Sequence, residues 1–173
     1  MKGVIVHCLA KLVTEKYGLE KWQNILKLSN LNEKFTILVI EDIDDAKTME
    51  LITNTTKVLN ITVSQATDAF GEYWMTSYAP NMYKSYFKKF TTARDFIKGM
   101  DEIHEMTTQS IPNAHPPRFE IQDIDDKTIL VTYKSSRNLI DFYIGLAKGV
   151  GSYFKTSVKA KKLSEQQVEL VFD

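Results

Sequence analysis

Apolar residues Val4, Ile5, Cys8, Leu9, Leu12, Val13 and Tyr17 recur at helical spacing, which predicts a first helix that Gly18 stops. A short second helix follows over 19–28. Residues 35–40 form an apolar run that suits either a strand or a buried loop, and spacing alone does not choose between them. The acidic cluster Glu41, Asp42, Asp44 and Asp45 then opens a helix to about Leu59, with negative charge at the favourable end of the dipole. Thr62 with Gln65 has capping-box spacing and introduces a helix that Pro80 ends. Thr92 with Asp95 repeats the signal before a longer helix, 93 to about 109, closed by Pro112, Pro116 and Pro117. Beyond it the period changes from helical to alternating. Segments 118–122 and 128–134 read as a hairpin around the Asp-rich turn 123–126. Residues 138–155 form a helix apolar on more than one side, expected between layers. Two strand candidates, 157–163 and 167–172, close the chain. Helices first and an antiparallel sheet with one inserted helix second make an α+β domain. Its expected parts are a helical 1–60 and a 61–173 that ends in the sheet, with no repeat or linker.

Composition narrows the function. At 173 residues one domain is the default, large enough to be stable without disulfides. With 22 Lys+Arg against 22 Asp+Glu, the electrostatic footprint of a nucleic-acid binder is missing. Cys8 is the single cysteine and cannot pair internally, which suits a reducing cytosol. His7, His104 and His115 are too few and too badly spaced for a zinc site. The stretch 4–10 is broken by His7 and followed by charge, unlike a secretory signal, and no run approaches the ~20 apolar residues that span a bilayer. The expectation is a soluble, cytoplasmic protein with no membrane partner.

Two sets of residues could carry chemistry. On one helix from 93 to 109, Ala93, Ile97, Met100 and His104 share a stripe flanked by Phe96 and Ile103, so the imidazole points with the apolar face. That position suits either a core histidine bonded to a carbonyl or a ligand. If their segment is extended, Tyr133, Ser135 and Arg137 line one face, so that a phenol, a hydroxyl and a guanidinium suit a carboxylate or phosphate. His7 and Cys8 are adjacent on a helix and point apart, His115 falls in a Pro-rich loop, and Lys159, Lys161 and Lys162 read as a solvated strand edge.

These features together resemble the H-NOX domains, haem nitric oxide/oxygen binding proteins related to the sensor domain of soluble guanylate cyclase. The shared residues are the opening Met1 to Val6, Glu-Asp-Ile-Asp-Asp at 41–45, Met-Asp-Glu-Ile-His at 100–104, Pro116-Pro117-Arg118, and Tyr-x-Ser-x-Arg at Tyr133, Ser135 and Arg137. They fall in the family's order across essentially the whole chain.

The resemblance implies a haem b (iron protoporphyrin IX) buried between the helical and sheet parts. His104 would be its axial ligand, on a helical face shared with Met100. Tyr133, Ser135 and Arg137 would hold the propionates, and Pro117 would press on the porphyrin. Oxygen-binding members carry a distal tyrosine where this chain has Phe142. The expected neighbours Ile5, Leu9 and Leu146 are apolar, and Trp74 stands where relatives place a supporting polar group, as a donor or as a bulky wall. An apolar pocket disfavours dioxygen, which needs a hydrogen-bond donor, more than nitric oxide or carbon monoxide. The expected function is a non-enzymatic nitric oxide sensor signalling to a separate histidine kinase or cyclic-di-GMP enzyme, since the sequence as read stops at Asp173 without an output domain. The alternatives are a haem peroxidase or oxygen-binding protein, and a haem-free module that stores an apolar ligand.

Overall fold

The computed structural model describes residues 1–173 and divides into two compact units, Met1–Ala66 and Thr67–Asp173. In the first unit, α1 (Val4–Tyr17) and α2 (Leu19–Leu28) meet at Gly18, whose φ of 94° lies in a region that L side chains avoid. α3 (Asp45–Leu59) starts behind Asp44, whose carboxylate accepts from the Lys47 amide at 3.0 Å. Leu9, Leu12, Val13, Trp22, Ile25, Leu26 and Leu51 are buried in this unit. The run 35–40 is a loop. It lies against the start of α1, where the Gly3 and Val4 amides donate to the carbonyls of Glu41 and Val39. Those bonds satisfy helix-end donors and leave no ladder for a strand.

α4 (Val63–Tyr73) begins with the expected capping box, in which the Gln65 amide donates to Thr62 Oγ1 and the Thr62 amide to Gln65 Oε1. Pro80 does not end it. The chain widens into a π-helical turn, Trp74–Tyr78, and runs on into α5 (Ala79–Met82), where Pro80 occupies a first-turn position that needs no amide donor. A short α6 (Lys84–Phe87) follows.

The long helix expected over 93–109 is two helices. α7 (Ala93–Lys98) ends at Gly99, and α8 (Met100–Thr108) restarts there. A Cβ at Gly99 would overlap the Phe90 ring, so packing of that ring selects glycine and a break at this position. The apolar stripe from Ala93 to His104 is therefore interrupted between Ile97 and Met100.

β1 (Arg118–Asp123) and β2 (Thr128–Lys134) form the expected hairpin, its turn held by Asp125 Oδ1 accepting from the Lys127 and Thr128 amides. α9 (Ile140–Phe154) is flanked by left-handed Asn138 and Lys155, and β3 (Val158–Lys162) and β4 (Gln167–Phe172) follow. The four strands are antiparallel in the order β1-β2-β4-β3, which completes an α+β fold. Inward residues Phe119, Ile129, Val131, Tyr133, Val168 and Leu170 cluster with Ile140, Tyr143, Ala147 and Val150 of α9. The other side of α9 crosses α4 on glycines. A Cβ at Gly71 would overlap the Gly145 carbonyl, and one at Gly145 would overlap the Thr67 carbonyl. α9 is thus covered on two sides, as its apolar pattern predicts.

Candidate functional site

His104 sits one turn into α8, half-buried, with its ring 5.4 Å from that of Phe119. Its Nδ1 lies 3.1 Å from the Pro117 carbonyl oxygen. A carbonyl only accepts, so Nδ1 carries the proton and Nε2 carries a lone pair with no hydrogen-bond partner. Burial holds the imidazole pKa below its ordinary value, although the Pro117 bond opposes the shift. The ring is therefore neutral at pH 7 and presents a bare, oriented nitrogen, the form of histidine that ligates a metal.

The start of α8 is clamped to β1. Asp101 Oδ1 accepts from Arg118 Nε at 2.8 Å and from the Phe119 amide at 2.9 Å, while Asp101 Oδ2 accepts from Arg118 Nη2 at 2.6 Å. The bond to Arg118 first, with help from the Phe119 amide, holds the Asp101 carboxyl below the usual carboxylate range. A depressed pKa contributes stability that is present above the unfolded value and lost as pH falls through the folded one. Denaturant melts from pH 6 down to pH 2 are expected to show a smaller acid loss for Asp101→Asn than for wild type. Parallel acid curves would contradict that linkage.

The Tyr133, Ser135 and Arg137 set does not line one extended face. β2 ends at Lys134, and residues 136 and 137 form a turn that leads through left-handed Asn138 into α9. Tyr133 keeps its place in the strand and is buried against Phe119 and Tyr143. Ser135 Oγ accepts from the Arg137 amide at 3.2 Å. Arg137 Nη1 donates to the His115 carbonyl at 2.7 Å. The turn brings Arg137 to the 115–117 loop that also orients His104. One short loop thus joins the two sets that the sequence presented separately.

Trp74, expected as a donor or a wall, stacks between Phe70 at 5.8 Å and Tyr78 at 5.3 Å, and its indole N–H makes no hydrogen bond. Phe142 meets Phe70 edge-on at 5.6 Å, through the close crossing of α4 and α9. Leu146 and Met100 are half-buried, the latter against the main core. Ile5 and Leu9 belong to α1 of the first unit, half-buried and buried respectively. Sequence reasoning missed four contributors. These are the Pro117 carbonyl as orienter of His104, Phe119 as its ring neighbour, Asp101 as the helix clamp, and Tyr143.

The family model described as haem-NO-binding matches residues 2–162. The chain belongs to the haem-NO-binding family. It superposes with a TM-score of 0.84 on an oxygen-binding H-NOX domain related to soluble guanylate cyclases, at 24% identity over 100% of this chain and 95% of that one. A ferrous, unliganded H-NOX mutant from K. algicida gives a TM-score of 0.85 at 21% identity, covering 100% and 96% of the two chains. Both likenesses concern the fold. Among curated relatives, soluble guanylate cyclase gcy-35 of Caenorhabditis elegans is 21% identical over 98% of this chain and 25% of its own. The chain thus spans a quarter of that relative's length, and 20% of gcy-32 from the same organism.

A haem-NO-binding domain takes haem, and the residues present fit it. No three His, Cys, Asp or Glu side chains stand together as a metal site. A porphyrin would bring its own nitrogens for the iron, and the Nε2 of His104, left bare by the Nδ1–Pro117 contact, is of the kind that could add one from the protein. Tyr133, Ser135 and Arg137 contribute donors of the kind that carboxylates require. No helix is long and apolar enough to cross a membrane.

Proposed function

We propose that this domain is a haem-based nitric oxide sensor, holding haem b with His104 Nε2 as the axial ligand. The observation that carries the assignment is the neutral, carbonyl-tethered imidazole with its second nitrogen unpaired. Tyr133, Ser135 and Arg137 hold the propionates, Pro117 bears on the porphyrin, and Met100 lies beside it. Trp74, Phe142 and Leu146 form the gas-side lining, which carries no hydroxyl at Phe142. That composition favours nitric oxide and carbon monoxide over dioxygen.

Bound haem would supply a ferrous iron able to take nitric oxide, and His104 Nε2 would be the protein nitrogen that holds it. Everything else is done by the chain. His104 Nδ1 is tied to the Pro117 carbonyl, so a change in the position of the imidazole would be felt by the 115–117 loop as well as by α8. Asp101 passes the movement of α8 to β1 through Arg118 and the Phe119 amide. Such a two-state element biased by a ligand is what a sensor requires.

The readout is a separate effector such as a histidine kinase or a cyclic-di-GMP enzyme, and the domain itself performs no catalysis. It works in the reducing cytoplasm, a setting that suits Cys8, which is buried and whose thiol is pushed up by that burial. Haemin titration of the purified protein tests the reading. One haem per chain is expected, and a protein that stays colourless contradicts it in favour of a haem-free module.

A further inference from the structure

Tyr143 is only 6% exposed, and its hydroxyl has no hydrogen-bond partner. Buried polar groups are almost always paired, so an orphan of this kind requires an explanation. Phenylalanine would fill the same space without the unmet donor. Burial pushes the Tyr143 pKa upward, so the phenol stays protonated and remains a donor.

The surroundings identify what it could donate to. Tyr143 stacks at 4.9 Å on Phe119 and lies 6.0 Å from the ring of Tyr133. Phe119 in turn is 5.4 Å from the His104 imidazole. The hydroxyl therefore belongs to an aromatic cluster that links the axial histidine to the first member of the Tyr-x-Ser-x-Arg set. Its neighbours in that cluster are rings and apolar core side chains, and the phenol oxygen of nearby Tyr133 does not serve as its acceptor.

Under the proposed function a bound gas would not be the missing acceptor, because Tyr143 clusters with Phe119 beside His104 and not with the Phe142–Phe70 pair of the gas side. The imidazole is not one either, since Nδ1 is committed to Pro117 and Nε2 to the iron. A porphyrin carries no other strong acceptors than its two carboxylates. We infer that the Tyr143 hydroxyl is a donor held for a carboxylate of the bound haem, next to Tyr133, and that the propionate set extends beyond Tyr133, Ser135 and Arg137. This rests on the function proposed above.

The test compares wild type with Tyr143→Phe in two states. Melting is measured on the haem-free proteins, and haem loss to excess apomyoglobin is followed with protohaem and with its dimethyl ester. The expected result is a haem-free variant at least as stable as wild type, because an unpaired hydroxyl has been removed. Protohaem is lost about tenfold faster or more, as expected for one missing charge-assisted hydrogen bond. With the diester, which lacks the carboxylate charge, the difference between the two proteins largely vanishes.

Three results overturn the inference. Equal protohaem loss means that the hydroxyl does not reach the carboxylate. Equal acceleration with protohaem and diester means a packing role. A destabilised or unfolded haem-free variant means that the hydroxyl already had a partner, such as a buried water. The proposed function fails separately. Wild type that takes up no haem, or a His104→Gly variant that keeps it normally, contradicts the sensor reading, whereas wild type that holds haem through His104 beside an unaffected Tyr143→Phe overturns the tyrosine alone.

Discussion

His104→Gly is expected to purify without haem and to recover it only when free imidazole is supplied. The reason is the scarcity of alternatives. His7 and Cys8 lie on α1, and His115 is exposed in its loop. No cluster of ligating side chains exists to replace the lost nitrogen. The imidazole fills the space of the missing ring and can be held at the Pro117 carbonyl, which accepts from its N–H as it does from Nδ1 of His104. An axial bond contributes enough that its loss should raise haem dissociation by orders of magnitude, read as pigment content after gel filtration. Unchanged pigment in the variant without added imidazole would show that another residue holds the iron.

The ferrous protein in air is expected to form no lasting oxygen complex, and Phe142→Tyr is expected to form one. Bound dioxygen draws electron density from iron and gains several kcal/mol, about 2.7–4 by analogy with single oxyanion donors, from a preorganised hydrogen bond. Nitric oxide and carbon monoxide gain much less. Phe142 packs edge-on against Phe70, on the helix face opposite the sheet, and a hydroxyl at its ring tip would add the missing donor. The absorption spectrum in air distinguishes the two proteins. A persistent oxygen complex in wild type would shift attention to Trp74, whose unbonded indole N–H is the available donor in the Phe70–Trp74–Tyr78 stack. Trp74→Phe would then abolish the complex.

Much of the fold could be read from short-range pattern. Alternation at Ile129, Val131 and Tyr133 marked β2 because one face of that strand is buried, and the Thr62–Gln65 box marked the start of α4 because capping is local chemistry. The misread elements were decided by details that hydrophobic period does not carry. Pro80 looks like a terminator, but the π turn before it rearranges the hydrogen-bond register so that its missing donor costs nothing. Gly99 splits the expected long helix because the Phe90 ring occupies the place of a Cβ.

The site divides in the same way. His104 was visible as a polar residue on an apolar face, and Tyr133, Ser135 and Arg137 as a run of donors. Their relation was not visible, because Ser135 and Arg137 leave the strand and Arg137 turns back to the His115 carbonyl. The role of Pro117 was hidden for a simpler reason. It acts through its backbone carbonyl, which every residue has. Tyr143 carried no signal of its own within 138–155, since a hydroxyl's lack of a partner is a tertiary property that no spacing rule reports.

The central claim is that iron is held by a His104 bond that nitric oxide can break. The absorption spectrum of the haem-loaded ferrous protein, recorded before and after addition of nitric oxide, tests it most directly. The account predicts five-coordinate ferrous haem at the start and a five-coordinate nitric oxide complex at the end, reporting both the single protein ligand and its release. A nitric oxide spectrum that stays six-coordinate at saturating gas would show that His104 is not released and would contradict the sensing mechanism.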